Sequence, residues 1–240
     1  DLTEEQTRER ARRIDPLGQS SYRIYAVSPK ERMITLDDKL YALMETDADA
    51  AHRCTFIEWR RMMLALCREE DGLSAQEALT RFGDLLTRAG VDRQSVVIGQ
   101  SDLREARAQM GASLCEAVYA ARAAKLCGKA ELAAHELGLY AYLFPMSENP
   151  FVCDRCRRVL SAIREYDAQN HTNLEQTALV YVKENMEIAA AAKVLFQHPN
   201  TVRYRLSKIQ RIIGMEDDPL FAPMLSLTVS LSRILAEGQV

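Results

Sequence analysis

Seven residues in one short segment carry side chains suited to contact with nucleic acid. They are His198, Asn200, Thr201, Arg203, Tyr204, Arg205 and Lys208. Arginine and lysine neutralise backbone phosphates, and asparagine, threonine and arginine hydrogen-bond to the edges of bases. The chain has a formal net charge of −3, yet residues 188–215 include five lysines or arginines and no acid. The positive charge is therefore local to this window, where it predicts a nucleic-acid surface.

The same window predicts two short helices joined by a tight turn. Residues 187–196 are rich in alanine, and Pro199 interrupts the helical pattern, because proline lacks an amide hydrogen and favours the first turn of the next helix. The second helix, residues 200–213, has an apolar stripe and an opposite polar side, and Gly214 ends it. The stripe consists of Val202, Leu206, Ile209 and Ile213, and the polar side includes Thr201, Tyr204, Arg205 and Lys208.

This pattern is typical of a helix-turn-helix that places its second helix in the major groove of DNA. A helix of 14 residues is about 20 Å long, which suits a duplex groove. Two ordinary bundle helices with a solvated basic face are the alternative that spacing and charge leave open.

The remaining sequence predicts an α+β architecture. Short β-branched or aromatic runs predict strands at residues 22–27, 53–57, 62–67 and 95–99. Apolar residues at helical spacing predict helices at 34–45 and 74–89, with further helical stretches from about residue 101. The sequence SAQE predicts a capping box at the start of the second of these helices, with Ser74 as N-cap and Glu77 three residues on. Beyond Gly138 the sequence predicts helices alone. We therefore expect an α/β domain at 1–147, with its connecting helices from about 101, and a helical domain at 148–240, with the helix-turn-helix at about 187–213.

The sequence IAAAAKVLFQHPNTVRYRLSKIQRIIG resembles the C-terminal helix-turn-helix of the PucR/CdaR family of bacterial regulators. The family pattern joins an alanine-rich helix to H-x-N-T-x-x-Y-R-L and to a helix that ends in Leu/Ile-Gly. Residues 174–181, LEQTALVY, are similar to the preceding helix of that family. The resemblance implies a sequence-specific DNA-binding transcriptional regulator of bacterial metabolic genes. It implies base or phosphate contacts from Asn200, Thr201, Arg203, Tyr204 and Lys208, whereas Arg205 either contacts phosphate or holds the fold.

Residues 98–143 are similar to a segment that closes a degenerate GGDEF-like domain in the same family. The similar parts are Ile98-Gly99, SLCEA at 113–117 and ELGLYAYL at 136–143. The resemblance implies a degenerate GGDEF-like α/β sandwich followed by an all-α helix-turn-helix domain. Members of the family also carry an N-terminal sensor domain that binds a small-molecule inducer. We expect that domain to be absent from this sequence, which begins at Asp1.

A GGDEF-like fold raises a second hypothesis, a nucleotide-binding or degenerate cyclase-like domain joined to a helical oligomerisation module. Cyclase chemistry needs glycines that let the backbone approach the triphosphate and carboxylates that bind metal. The predicted hairpin turn at residues 57–61 has no glycine and one acid, Glu58. We therefore predict that the protein is not an enzyme and has no catalytic residue and no cofactor.

The cysteines predict no metal site. Cys153 and Cys156 form a C-x-x-C pair, but the sequence has no second pair to complete a zinc site. We interpret both as small buried residues of a helix. Six cysteines scattered through 240 residues suit a reducing cytoplasm better than a disulfide framework. The longest charge-free run, residues 219–232, is too short to cross a bilayer, so we expect a cytoplasmic protein without a membrane partner.

Double-stranded DNA is the predicted partner. One short helix-turn-helix makes few base contacts, and a two-fold pair of them reads two half-sites about one helical turn apart. We therefore expect a homodimer or a higher homo-oligomer.

Overall fold

A computed structural model of the chain describes residues 21–30, 36–69, 73–104 and 110–238. The chain divides into two compact units between Ala141 and Tyr142. The first unit is a five-stranded sheet with helices, and the second is entirely helical in its described part. The predicted α+β class is therefore confirmed.

The first unit contains the strands β1 (Tyr22–Pro29), β2 (Cys54–Trp59), β3 (Met62–Arg68), β4 (Val96–Gln100) and β5 (Glu131–Ala133). Its helices are α1 (Asp37–Thr46), α2 (Ala48–Arg53), α3 (Ala75–Arg88) and α4 (Met110–Leu126). The strand order is β2-β3-β1-β4-β5. Neighbouring strands are antiparallel except β4 and β5, which are parallel because α4 connects them as a crossover.

Both faces of the sheet are buried, which gives three layers. Alternation along β1 sends Tyr25 and Val27 to one face and Ile24 and Ala26 to the other. The first face packs against apolar residues of α1 and α3, and the ring of Tyr25 stacks on Phe82 with centroids 4.0 Å apart. The second face packs against α4.

Helix α4 lies very close to the sheet because the residues at the contact are small. Ala117, Ala120 and Ala121 have no exposed surface. A Cβ atom on Gly99 of β4 would lie 2.0 Å from the carbonyl oxygen of Ala117 and 2.2 Å from the amide nitrogen of Ala121. Only glycine therefore fits at this point of the strand.

Several local predictions for this unit are confirmed. The four predicted strands are present, and β2 and β3 form the hairpin, with Arg60 of its turn at φ 48°. Helix α3 begins at a capping box in which the Ser74 hydroxyl accepts from the Glu77 amide at 3.3 Å and the Glu77 carboxylate accepts from the Ser74 amide at 3.0 Å.

Other predictions for this unit are wrong. Residues 101–104 do not begin a helix, because the Ser101 amide donates to the Ile24 carbonyl at 2.9 Å and Arg104 pairs with Tyr22. The rest of that predicted stretch up to residue 109 lies outside the described residues. Strand β5 was not predicted, and neither was the disulfide between Cys54 and Cys67. The preference for reduced cysteines therefore fails for this pair, which lies opposite in the β2–β3 ladder.

Beyond β5 the described chain is helical, as predicted. The helices are α5 (Tyr140–Ser147), α6 (Pro150–Asn170), α7 (Leu174–Lys183), α8 (Ile188–Val194), α9 (Pro199–Ile213) and α10 (Phe221–Gly238). A core that includes Ile163, Leu174, Ala191, Ile209 and Leu225 holds α6 to α10 together.

The two cysteines of the C-x-x-C pair are buried on α6, as predicted. The Cys153 thiol donates to the Ser147 carbonyl at 3.0 Å, and the Cys156 thiol donates to the Thr228 carbonyl at 3.3 Å. Burial raises the pKa of the Cys156 thiol, with a further contribution from Cys153. Both side chains therefore act as small core residues whose weak donors are satisfied.

Candidate nucleic-acid interface

Helix α9 begins as the sequence predicts. His198 is its N-cap residue, and the Nδ1 atom of His198 accepts a hydrogen bond from the Asn200 amide at 3.2 Å. Pro199 occupies the first helical position, where no amide donor is needed. Gly214 ends the helix in the left-handed conformation, at φ 69°. The turn before α9 contains Phe196, which has φ 51° and is 93% exposed.

Two opposite stripes run along α9. Val202, Leu206 and Ile209 are buried, with Ile213 partly buried beside them. An exposed stripe consists of Asn200, Tyr204, Ser207 and Arg211. Both stripes advance by four, three and four residues, which is the repeat of one face of an α-helix. We call the second set the outer stripe.

The start of α9 brings two predicted contact residues together. The Arg203 guanidinium donates to the Asn200 side-chain oxygen at 2.8 Å, and both side chains are exposed. This bond holds a cationic group beside the helix N-terminus, where the amide dipoles already favour an anion.

Arg205 has a contact inside the unit. Its Nη1 atom donates to the Thr177 hydroxyl of α7 at 3.1 Å, and this hydroxyl donates to the Asn173 carbonyl at 2.7 Å. Thr177 is fully buried. Of the two roles that the sequence left open for Arg205, the structure shows the one that joins α9 to α7.

Lys208 and Thr201 lie on the flank of α9 and are partly buried. The Lys208 ammonium lies 5.0 Å from the centroid of the Tyr166 ring of α6, a cation–π geometry. Thr201 is in the first turn, where its amide donates to the His198 carbonyl at 2.9 Å. These two residues therefore border the outer stripe.

Sequence reasoning missed two members of the outer stripe, Ser207 and Arg211. The signal was available, because both continue the four-three-four spacing that starts at Asn200 and Tyr204. The exposed ring of Phe196 had no comparable signal, since its position depends on how the turn ends α8. Tyr204 is 68% exposed, so two aromatic rings are accessible on this part of the unit.

A carboxylate at the end of α6 fixes the start of α7. Asp167 accepts from the amide of Leu174 at 2.8 Å, the amide of Glu175 at 2.9 Å and the hydroxyl of Thr172 at 2.6 Å. Burial favours the neutral form of Asp167. The hydrogen bonds it accepts, together with the charge of Arg205, outweigh this effect and lower the pKa of the carboxyl below its ordinary value.

We expect Asp167→Asn to lower the free energy of unfolding of the helical unit by about 1–2 kcal/mol at pH 7, because two amide donors at the start of α7 lose a charged acceptor. The folded-state pKa lies below the unfolded one, so the stabilisation is present above about pH 3.9 and is lost as the pH falls through the folded pKa. Urea unfolding at pH 7 and at pH 3 measures the difference between variant and wild type.

Asp154→Asn on the same helix is the matched control, because Asp154 takes part in an exposed ion pair with Arg158 at 2.8 Å. We expect it to change stability by less than about 0.5 kcal/mol. An equal loss in both variants, or a loss in Asp167→Asn that is no smaller at pH 3 than at pH 7, would contradict the assigned role.

The described part of the chain contains neither a cluster suited to a metal ion nor a helix suited to a membrane span. No group of three or more His, Cys, Asp or Glu side chains in residues 21–30, 36–69, 73–104 and 110–238 is placed to hold a metal ion. Within the same ranges, no helix combines the length and the apolar character needed to cross a membrane.

Comparison with known proteins bears directly on the unit that contains α9. Residues 174–227, which include α7, α8, α9 and the start of α10, match the family model described as the PucR C-terminal helix-turn-helix domain. This segment is a PucR-type helix-turn-helix. The predicted resemblance is therefore confirmed for the helix-turn-helix, while the GGDEF-like assignment of the first unit stays a prediction.

Two curated relatives come from Bacillus subtilis (strain 168). The proline-responsive transcriptional activator PutR is 28% identical over 111 residues, which are 45% of this chain and 27% of PutR. The DNA-binding transcriptional activator AdeR is 31% identical over 81 residues, 34% of this chain and 19% of AdeR. The similarity thus spans about a quarter of either relative or less.

A solved structure is also similar. It is the regulator of polyketide synthase expression from Bifidobacterium adolescentis, with a TM-score of 0.39 and 20% sequence identity. The aligned region covers 90% of this chain and 81% of that chain.

Proposed function

We propose that this chain is a sequence-specific DNA-binding transcriptional regulator of bacterial metabolic genes. The observation that carries the proposal is the outer stripe of α9, exposed on a PucR-type helix-turn-helix whose residues 188–215 include no acid. The names of PutR and AdeR, both transcriptional activators, support the same function. We place α9 in the major groove of double-stranded DNA.

The exposed side chains take different parts in this interface. We assign base-edge contacts to Asn200 and Arg203, which are paired at the start of α9, since the asparagine amide has a donor and an acceptor and the arginine has two parallel donors for bidentate contacts. Ser207 and Arg211 contact base edges or phosphates further along the stripe. Tyr204 packs on sugar or on a thymine methyl group.

Residues on the border of the stripe bind the phosphate backbone. Lys208 and Thr201 contact phosphate on the flank nearest α6. The Nδ1 atom of His198 accepts a hydrogen bond from the Asn200 amide, so the neutral ring has its hydrogen on Nε2, which donates toward a phosphate. Arg205 contributes by holding α9 against α7, because its guanidinium donates to the Thr177 hydroxyl.

The assembly and the first unit belong to the same proposal. The protein binds two half-sites as a homodimer or a higher homo-oligomer, in the cytoplasm. Residues 1–147 form a GGDEF-like domain that transmits a conformational state or mediates assembly and has no enzyme activity. Residues 148–240 form the DNA-binding domain. A small-molecule inducer binds an N-terminal sensor domain outside this sequence.

Binding of the chain to the DNA upstream of its own gene, measured by fluorescence anisotropy across a salt series, tests the proposal. We expect the logarithm of the association constant to fall linearly with the logarithm of the salt concentration, with a slope near −0.9 for each phosphate neutralised. Arg203→Gln is expected to weaken specific binding by about tenfold, and Arg211→Gln to weaken binding and reduce the slope by about 1.

The double change Arg155→Gln and Arg158→Gln is the control, because it removes two exposed charges from α6 and none from α9. Arg158 and Arg155 lie about 12 and 17 Å along α6 from Tyr166, the ring that contacts Lys208. We therefore expect this variant to keep an affinity within about twofold of the wild type, since exposed charges beyond a Debye length are screened. Equal losses in the control and the α9 variants, or binding that ignores salt, would count against α9 as the DNA-binding helix.

A further inference from the structure

A cavity of about 450 Å³ lies in the first unit, between the β2–β3 hairpin and α3. The disulfide of Cys54 and Cys67 forms part of its wall, and Phe82 and Leu85 of α3 line the other side. The two cysteines are only 4% and 5% exposed, and both line this cavity, so a small reagent that enters the cavity comes next to them.

Arginines surround the sulfur atoms. Arg53 directly precedes Cys54, Arg68 directly follows Cys67, and Arg81 and Arg88 of α3 also line the cavity. Among the described residues, the lining contains these four arginines and two acids, Glu69 and Asp84. The cavity wall therefore has a net positive charge, which attracts anions and favours a thiolate over a thiol.

Glu69, one of the two acids, already has a hydrogen-bond partner, and its negative charge is disfavoured by burial. The Tyr25 hydroxyl donates to the Glu69 carboxylate at 2.6 Å, and burial raises the pKa of Glu69 above its ordinary value. Arg53 and Arg81 also interact electrostatically with Glu69, so its negative charge offsets part of the positive charge of these two arginines. The exposed side chains of Arg81 and Arg88 contribute positive charge at the cavity, and Asp47 pairs with Arg88 at 2.5 Å.

The ladder keeps the two sulfur atoms together whether or not they are bonded. Cys54 lies directly opposite Cys67, with Cα atoms 4.1 Å apart, and the flanking pairs of β2 and β3 continue to the turn. The strands are therefore held by backbone hydrogen bonds that do not depend on the disulfide. Reduction leaves two neighbouring thiols in place for the reverse reaction.

From this geometry we propose that Cys54 and Cys67 form a reversible thiol–disulfide site that reacts with small anionic thiols entering the arginine-lined cavity. A cavity of this size holds a small peptide thiol or a short-chain thiol acid. The proposal concerns the first unit alone and does not depend on DNA binding by α9.

The reaction balances as two successive exchanges. A thiolate RS⁻ attacks one sulfur atom of the disulfide, which forms a mixed disulfide and releases the other cysteine as a thiolate. A second RS⁻ attacks the mixed disulfide, which releases RSSR and the second cysteine thiolate, and each thiolate takes a proton from water. Two electrons pass from two thiols to the protein disulfide, and RSSR reverses the reaction.

The test compares three small thiols of different charge on the folded, oxidised chain at low ionic strength. They are 2-mercaptoethanesulfonate, 2-mercaptoethanol and cysteamine, each used at the same thiolate concentration. Alkylation followed by trypsin reports the pair separately from the other four cysteines, because cleavage after arginine releases CTFIEWR with Cys54 and MMLALCR with Cys67.

We expect the sulfonate to reduce the disulfide about tenfold faster than cysteamine, with mercaptoethanol between them. Arg81→Gln with Arg88→Gln is expected to bring the three rates together. The control is Arg155→Gln with Arg158→Gln, which removes the same number of charges from exposed positions of the helical unit, including the ion pair of Arg158 with Asp154. It should keep the wild-type order.

Salt provides a second measurement if the α3 variant does not fold, since about 1 M potassium chloride should remove the preference in the wild type. Three results would overturn the proposal. They are reduction that requires denaturant, rates that follow no charge order, and cysteines that stay reduced in an excess of oxidised glutathione.

Discussion

Gly99→Ala is expected to destabilise the first unit by more than about 3 kcal/mol, a large part of the stability of an ordinary domain. The new methyl group would lie 2.0 Å and 2.2 Å from backbone atoms of α4, which cannot rotate away. Helix α4 would have to move off β4 and open the contacts of its buried alanines. Hydrogen exchange of the β4 and α4 amides, with chemical unfolding, measures the loss.

Gly111→Ala is the matched control, since it makes the same substitution within α4 itself. Among the described residues, leaving aside its chain neighbours and the backbone of its own helix, no heavy atom lies within 4 Å of a Cβ built at Gly111. We therefore expect this variant to be more stable than the wild type by about 0.4–1 kcal/mol, because alanine reduces the freedom of the unfolded chain. Opposite signs at the two glycines would establish close packing as the cause, whereas a Gly99 variant as stable as the wild type would contradict it.

Ile209→Ala is expected to lower the free energy of unfolding of the helical unit by about 2–5 kcal/mol. Ile209 has no exposed surface and lies on the buried stripe of α9. Removing three carbon atoms leaves a cavity among residues of α6, α7 and α10. Below the unfolding transition, we expect DNA affinity to fall only in proportion to the unfolded fraction.

Ser207→Ala on the outer stripe is the comparison for this prediction. Ser207 is exposed, so we expect the unfolding free energy of the Ser207→Ala variant to stay within about 0.5 kcal/mol of the wild-type value. Urea unfolding and DNA titration of both variants separate folding from binding. Equal stability of the two variants would show that the buried stripe does not support the unit.

Sequence patterns predicted those parts of the fold that depend on local interactions. The capping box at Ser74 and the proline at the start of α9 each act within one turn of helix, so a few residues contain the whole signal. The amphipathic pattern of α9 also predicted which side would be buried, at Val202, Leu206 and Ile209.

Features that depend on distant partners were not predicted. Strand β5 has three residues, Glu131–Ala133, and exists because α4 returns the chain to the edge of β4. Ser101 looks like a helix cap in sequence, yet its hydroxyl accepts from the Ile24 amide at 2.9 Å, 77 residues away. Local propensity contains no information about either partner.

The disulfide of Cys54 and Cys67 lies between these two groups of features, because it joins two strands but its register follows from the local turn. The sequence predicted the hairpin but placed its turn at residues 57–61. The observed turn has two residues and pairs Trp59 with Met62, and counting outward from that pair brings Cys54 opposite Cys67. The pairing could thus have been predicted once the turn was placed. General reasoning about cysteines in reducing compartments outweighed the register of the strands.

The two stripes of α9 have a consequence for evolution. The positions that hold the helix in the core and those of the outer stripe do not coincide. Under the proposed function, substitutions at Ser207 or Arg211 alter which bases are preferred while the free energy of folding stays nearly constant. Descendants of one ancestral helix can diverge in their operators without first acquiring compensating changes in the core, so new regulatory targets are accessible by single mutations.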